Sequence, residues 1–471
     1  MSTPITLTDA AAALRAGTVT SRQLTEAAFA VADAADEQLG AYLARFDDTA
    51  LAAADRADEE LAAGLDRGPL HGIPFGVKDI LASAEGPTTA QSLVLDPAWG
   101  AGKDAPTVAR LKAAGAVITG KASTMEFACG MPDPSKPFPP PRNPWNPETW
   151  PGGSSSGTGA GVAAGMFLAG LGTDTAGSIR IPAAFCGVSG LMPTFGRVPK
   201  SGCVPLGYSL DHIGPLARSA RDCADVLSVI AGRHLSDPDS VDAPFTVPEW
   251  GGDLTGLRIG VARSGHFPEG SDPALAGVFE ATLAEFSAAG AELVEIELPY
   301  WAELRTANLV TMACEALAYH RVDMSTRWTD YFAATRAMLA RGALVSGADY
   351  VQAQRVRRVA QDAVARLFDQ VDLVICPTAS VSAPKYTELT NPDGTTDVEN
   401  MFTLIHTGYW DCLGNPVLAV PMGFSSEGLP LSVQLAARPF EEATALKAGD
   451  AFQQRTNWHL QVPDLALPAA A

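Results

Sequence analysis

At 471 residues the chain is too long for one small core and short for three ordinary domains, which leaves one large α/β domain with an insertion, or two domains. Hydrophobic residues make up 47% and charged residues only 18%, the balance of a globular protein with a sizeable core. A formal net charge of −20 repels phosphate backbones and anionic membranes, so neither nucleic acid nor a membrane is expected as a partner.

In chain order, residues 8–65 are Ala-rich and read as helical, with Thr20 to Gln23 forming a capping box before an amphipathic run through Leu24, Ala28 and Val31. Ile73 to Asp79 reads as a short buried strand that carries one lysine, Lys78. Val108 to Ala114 reads as a helix closed by Gly115, and Ala116 to Gly120 as the next strand. Nine prolines crowd 132–151, which forbids a helix or a central strand and predicts a stiff loop running into Gly152-Gly153-Ser154-Ser155-Ser156-Gly157. Ala160 to Leu171 is expected to be helical, and Gly172 to Ser178 a second tight Gly/Ser turn. Residues 236–252 read as a connector and Leu257 to Ala262 as a strand. Residues 274–289 and 303–370 read as mostly helical. Val371 to Pro377, Val417 to Pro421 and Leu431 to Leu435 read as strands, before a final helix over 441–455. Alternating helix and strand is the signature of an α/β fold.

The seven cysteines are scattered and show no C-x-x-C spacing, so they read as small buried hydrophobes of a cytoplasmic protein, not as disulfides or zinc ligands. The N-terminus lacks the basic start and apolar run of a signal peptide. Three short motifs mislead. Gly115 to Lys121 opens like a P-loop, but Ala122 stands where the magnesium-binding hydroxyl is needed. Gly159 to Ala164 fits a loose dinucleotide pattern without the strand it requires. Gly153-x-Ser155-x-Gly157 fits a nucleophile elbow, but a proline-rich approach replaces the strand, and no histidine sits in a motif that marks it.

Two Gly/Ser loops therefore bracket one short core helix, while a single lysine sits in an apolar strand. These segments resemble the amidase-signature family. The resemblance rests on Gly152 to Gly157, on Gly172-Thr173-Asp174-Thr175-Ala176-Gly177-Ser178-Ile179-Arg180-Ile181-Pro182-Ala183, and on Cys186-Gly187 with Gly190 to Thr194. It extends to Gly72-Ile73-Pro74 with Lys78-Asp79, to Glu126-Phe127-Ala128, and to Gly428-Leu429-Pro430 with Gln434-Leu435.

The resemblance implies a large mixed β-sheet sandwiched by helices. Residues 1–65 would form a helical N-terminal segment and 66–235 the core with the catalytic groups. Residues 236–471 would complete the same domain and hold a helical insertion at 303–370 that builds part of the substrate pocket. It implies Ser178 as nucleophile, Ser154 as bridging serine after a cis Gly153–Ser154 bond, and Lys78 as base. The backbone N–H groups of Thr175, Ala176, Gly177 and Ser178 are expected as the oxyanion hole. A lysine can act as base only when neutral, and burial in an apolar strand favours the neutral form.

Two positions depart from the family pattern. Ala176 replaces a glycine and fits only at negative φ. Met192 replaces a lysine. Asp174 and Arg180 are expected to form an ion pair that holds the loop. Met125, Cys129, Gly130, Met131 and Ile181 are expected to line the pocket, with Trp301, Met312, Tyr319, Trp328 and Tyr331 added from the insertion. That apolar and aromatic mix implies a small uncharged substrate: a linear aryl or alkyl amide instead of a peptide bond, or a carbamate or hydrazide, with esters as a side activity. No cofactor or metal is implied, and a homodimer is compatible. The alternative is the glutaminase subunit of a tRNA-dependent amidotransferase. Ile181 stands where those subunits usually carry glutamine, which argues mildly against it.

Overall fold

The computed structural model describes residues 5–243, 245–389 and 402–466. Its described residues form one mixed sheet of eleven strands. These are β1 (Tyr42–Arg45), β2 (Pro74–Lys78), β3 (Val117–Ala122), β4 (Ala169–Asp174), β5 (Ser189–Met192), β6 (His212–Ala217), β7 (Arg258–Ala262), β8 (Glu292–Ile296), β9 (Leu373–Pro377), β10 (Val417–Phe424) and β11 (Pro430–Ala437). Their order is β1-β3-β2-β4-β6-β5-β10-β11-β9-β7-β8. Strands β3, β2 and β4 run parallel, as do β8, β7 and β9, and antiparallel pairs join these two groups. Helices cover both faces. Along β10, Leu418 and Val420 enter one buried cluster, while Ala419 between them enters the cluster on the other face.

The apolar runs expected as strands β2, β3, β7, β9, β10 and β11 all form, and 301–370 folds into helices Trp301–Arg327, Ala333–Leu344 and Gly347–Leu367. The capping box at Thr20 and Gln23 is present. The proline-rich segment carries neither helix nor strand.

Two expectations fail. Ala160 to Leu171 is not one helix. The helix Ser156–Ala164 stops at Gly165, which takes a left-handed φ of 87°, and Ala169–Asp174 is strand β4. The supposed turn at 172–178 therefore begins only after Asp174. The stretch 8–65 is also interrupted, because Tyr42–Arg45 forms edge strand β1 against β3. No helix among the described residues is long and apolar enough to cross a membrane.

Candidate active site

Strand β2 places Lys78 at its C-terminal end, fully buried. Two positions earlier, on the same face of the strand, Gly76 leaves room for Phe167; a Cβ there would lie 2.6 Å from the ring. A Cβ on Gly161 would lie 2.3 Å from the same ring, so Phe167 seats the Ser156–Ala164 helix against β2. Lys78 Nζ donates to three hydroxyls: Ser154 Oγ at 2.8 Å, Ser155 Oγ at 3.0 Å and Thr173 Oγ1 at 2.7 Å. Burial penalises the ammonium and pushes its pKa from 10.5 down to about 7. Ser155 and Thr173 were not singled out from sequence. The second serine of the loop was a visible signal; the threonine depends on β4 lying beside β2.

Ser154 follows a cis peptide bond from Gly153. Its loop touches the Ser178 turn directly, because Ser155 N–H donates to Ser178 C=O at 3.2 Å. Ser154 and Ser178 both line one cavity of about 410 Å³. Ser178 is 9% exposed, and its hydroxyl has no hydrogen-bond partner among the described residues. The structure therefore brings the three expected groups to one place, with the Lys78–Ser154 link formed.

The turn itself is held by a buried charge cluster. Arg180 donates from Nε to Asp174 Oδ2 at 3.0 Å and from Nη2 to Asp411 Oδ2 at 2.6 Å, all three side chains being fully buried. Its Nη1 reaches Thr407 C=O and Gln434 Oε1. Burial alone pushes the Asp174 carboxyl up, but the Arg180 guanidinium overrides it and holds the group below its ordinary range. Burial, then the Asp174 charge, hold Asp411 well above that range. One cation thus faces two carboxyl groups whose proton affinities are pushed in opposite directions. The ion pair expected between Asp174 and Arg180 is present.

The four expected oxyanion donors are not equivalent. Gly177 N–H donates to Asp174 Oδ1 at 2.5 Å and is spent. The amides of Thr175, Ala176 and Ser178 meet no acceptor among the described residues. Asp174 takes the Gly177 amide because its carboxylate turns back over the loop it begins. Ala176 keeps a φ outside the positive region, so its methyl is tolerated, whereas Gly177 has φ 122°. A Cβ at Gly177 would also lie 2.0 Å from Thr407 Oγ1. Gly177→Ala is therefore expected to displace the loop and lower kcat by at least about 10²-fold, the scale of one lost oxyanion donor. Wild-type kcat in that variant would contradict the assignment.

Met125, Cys129, Gly130 and Ile181 line the cavity as expected, together with Met312. Met131 does not. It is buried beside Met125 and Trp150 in the core behind the wall. Trp301, Tyr319, Trp328 and Tyr331 are also absent from the lining. These aromatic side chains pack elsewhere: Trp301 on His266, His406 and Tyr409, Tyr331 on Phe127 and His320. The wall comes instead from groups that sequence reasoning missed, among them Trp150, Leu206, Leu309, Ala337, Met338 and Phe402. Arg341 is the one charged side chain in that lining among the described residues.

The Amidase family profile matches residues 23–446. The chain is 39% identical to a glutamyl-tRNA(Gln) amidotransferase subunit of Chloroflexus aurantiacus, over 98% of this chain and 99% of that one. It is equally 39% identical to an amidase of Pseudomonas putida, over 98% of each. A solved structure described with the evolutionary origins of an s-triazine catabolic enzyme matches with a TM-score of 0.88 at 35% identity, over 96% of this chain and 98% of that one. With these matches spanning nearly its whole length, the chain belongs to the amidase-signature family of C–N hydrolases.

Proposed function

We propose that the chain hydrolyses small uncharged amides through an acyl-enzyme on Ser178. The observation that carries this reading is Lys78: buried, drawn down to about 7, and 2.8 Å from the Ser154 hydroxyl. Neutral Lys78 accepts the Ser154 proton as Ser154 accepts that of Ser178. Ser178 Oγ then attacks the acyl carbonyl, and the oxyanion gathers at the free amides of the 175–178 turn. The proton returns through Ser154 to the leaving nitrogen, and water releases the acid by the reverse path. The link between Ser154 and Ser178 closes when substrate fills the cavity, as catalytic hydrogen bonds commonly tighten only in the Michaelis complex. Amide, carbamate and hydrazide all present the same acyl carbon. The lining of Met, Ala, Leu, Trp and Phe favours an alkyl or aryl acyl group. No cofactor is required.

A second reading, the glutaminase subunit of a tRNA-dependent amidotransferase, is favoured by the full-length similarity to the Chloroflexus subunit. Most of the similar curated relatives carry that subunit's name. Against it stands the lining, which is mostly apolar and holds one charged side chain among the described residues, Arg341.

Chromophore release from an acyl anilide, a carbamate anilide and an aryl ester tests the proposal, with Ser178→Ala as control. The expected result is release by the isolated chain that falls roughly 10⁶-fold in the variant. Ammonia release from glutamine, seen only with partner subunits and without anilide cleavage, would transfer the assignment to the second reading.

A further inference from the structure

The insertion helix Trp301–Arg327 does more than line the cavity. Leu309 and Met312 face the cavity from it. One residue before Leu309 stands Asn308, 3% exposed, whose Nδ2 donates to the backbone carbonyl of Thr175 at 3.1 Å. Thr175 is 133 residues away in sequence, at the start of the oxyanion turn.

The geometry points to Asn308 as a positioning residue that sets the direction of the Ala176 N–H. This rests on the oxyanion role proposed for that turn. In a trans peptide the carbonyl of one residue and the N–H of the next lie in one plane and point in opposite directions. The only cis bond among the described residues is Gly153–Ser154, so the Thr175–Ala176 peptide is trans. Holding the Thr175 oxygen therefore fixes where the Ala176 hydrogen points.

The next peptide plane, Ala176–Gly177, is held at both edges without Asn308. The Ala176 carbonyl accepts from Thr407 Oγ1 at 2.6 Å, and the Gly177 N–H is held by Asp174. The Thr175 hydroxyl is held in turn by Asp211 at 2.6 Å. Among the described residues, Asn308 alone holds the carbonyl edge of the Thr175–Ala176 plane. That plane carries one of the three amides the charge cluster leaves free.

Asn308 is in turn confined by Gly408. A Cβ on Gly408 would stand 3.0 Å from Asn308 Oδ1 and 3.2 Å from its Cγ. The helix that reads the acyl group thus also aims a donor at its oxyanion.

The test uses two variants that reach the contact from opposite sides. Asn308→Leu keeps the side-chain volume and removes the donor from the Thr175 oxygen. Gly408→Ala keeps the donor and pushes it off its position; the backbone there is helical, so alanine brings no backbone strain. Two readouts are taken for wild type and both variants. One is kcat and KM on the best acyl anilide. The other is the rate at which a fluorophosphonate labels Ser178, followed by mass spectrometry. The expected result for Asn308→Leu is a kcat lower by about 10- to 100-fold with KM near wild type, slower labelling and a thermal unfolding midpoint within about 3 °C of wild type. Gly408→Ala is expected to shift the same readouts less. Wild-type kcat and labelling in both variants overturn the assignment, as does a loss of kcat that only follows a loss of thermal stability. Failure of wild-type Ser178 to take the label, with no anilide cleavage, overturns the functional reading itself and this inference with it.

Discussion

Lys78→Met is expected to stop hydrolysis and to stabilise the fold. Removal of a positioned base lowers kcat by roughly 10²–10⁴-fold. A lysine held at about 7 instead of 10.5 costs the folded state about 5 kcal/mol at low pH. Methionine removes that cost and leaves the hydroxyls of Ser154, Ser155 and Thr173 without a donor, at about 1 kcal/mol each. The net expectation is a gain of about 2 kcal/mol.

Its pH dependence has a definite sign. Between about 7 and 10.5 the unfolded chain binds the proton that the folded lysine has released, so wild-type stability rises with pH across that window. The advantage of the variant is thus greatest below pH 7 and fades above it. Wild-type kcat should rise through about pH 7 to a plateau, because only the neutral amine accepts a proton. Calorimetry at pH 6 and pH 9.5 with a pH–rate profile reads all of this. A variant less stable than wild type at pH 6 would refute the burial argument.

Arg180→Met is expected to cost about 3–5 kcal/mol of stability, the scale of a buried ion pair broken from one side. It strands the Asp174 carboxylate with no counter-charge and removes the donors to Thr407 C=O, Gln434 and Asp411. Asp174 also receives the amides of Gly177 and Ile179, so the loop loses its shape with the charge. Arg180→Lys keeps the charge but not the fork, and should recover only part of the loss. Denaturant midpoints for the two variants measure this; an Arg180→Met midpoint equal to wild type would remove the cluster from the account.

What could be read in the sequence follows the range of the interactions. Strands β9 and β10 are continuous apolar runs buried on both faces, and β11 is one interrupted only by Ser432 and Gln434, so their residues alone identify them. Strand β4 was hidden because Ala169-Gly-Leu-Gly-Thr-Asp174 has two glycines, no aromatic residue and only Thr173 among the β-branched residues that mark strands. It follows a helix of equally small residues, and Gly165 was the one available sign of the break. Tyr42–Arg45 was hidden by helix formers on either side.

At the site, Lys78, Ser154 and Ser178 were legible because two loops and one strand carry them in recognisable local patterns. The loss of the Gly177 amide to Asp174 was not, since it depends on how one carboxylate turns. Asn308, Thr407, Asp411 and Gln434 lie far along the chain and become neighbours of the loop only through the sheet. The pocket was misjudged for a related reason. The rings expected in the pocket pack mostly on aromatic groups from distant segments, and the lining comes from other positions.

That division of labour has a consequence for biosynthesis. Lys78, Ser154 and Ser178 all emerge from the ribosome in the first half of the chain, whereas the groups that shape the oxyanion turn arrive with Asn308, Thr407, Asp411 and finally Gln434 in β11. Under the proposed function, a nascent chain therefore carries Lys78, Ser154 and Ser178 before the residues that hold the 175–178 turn have been made.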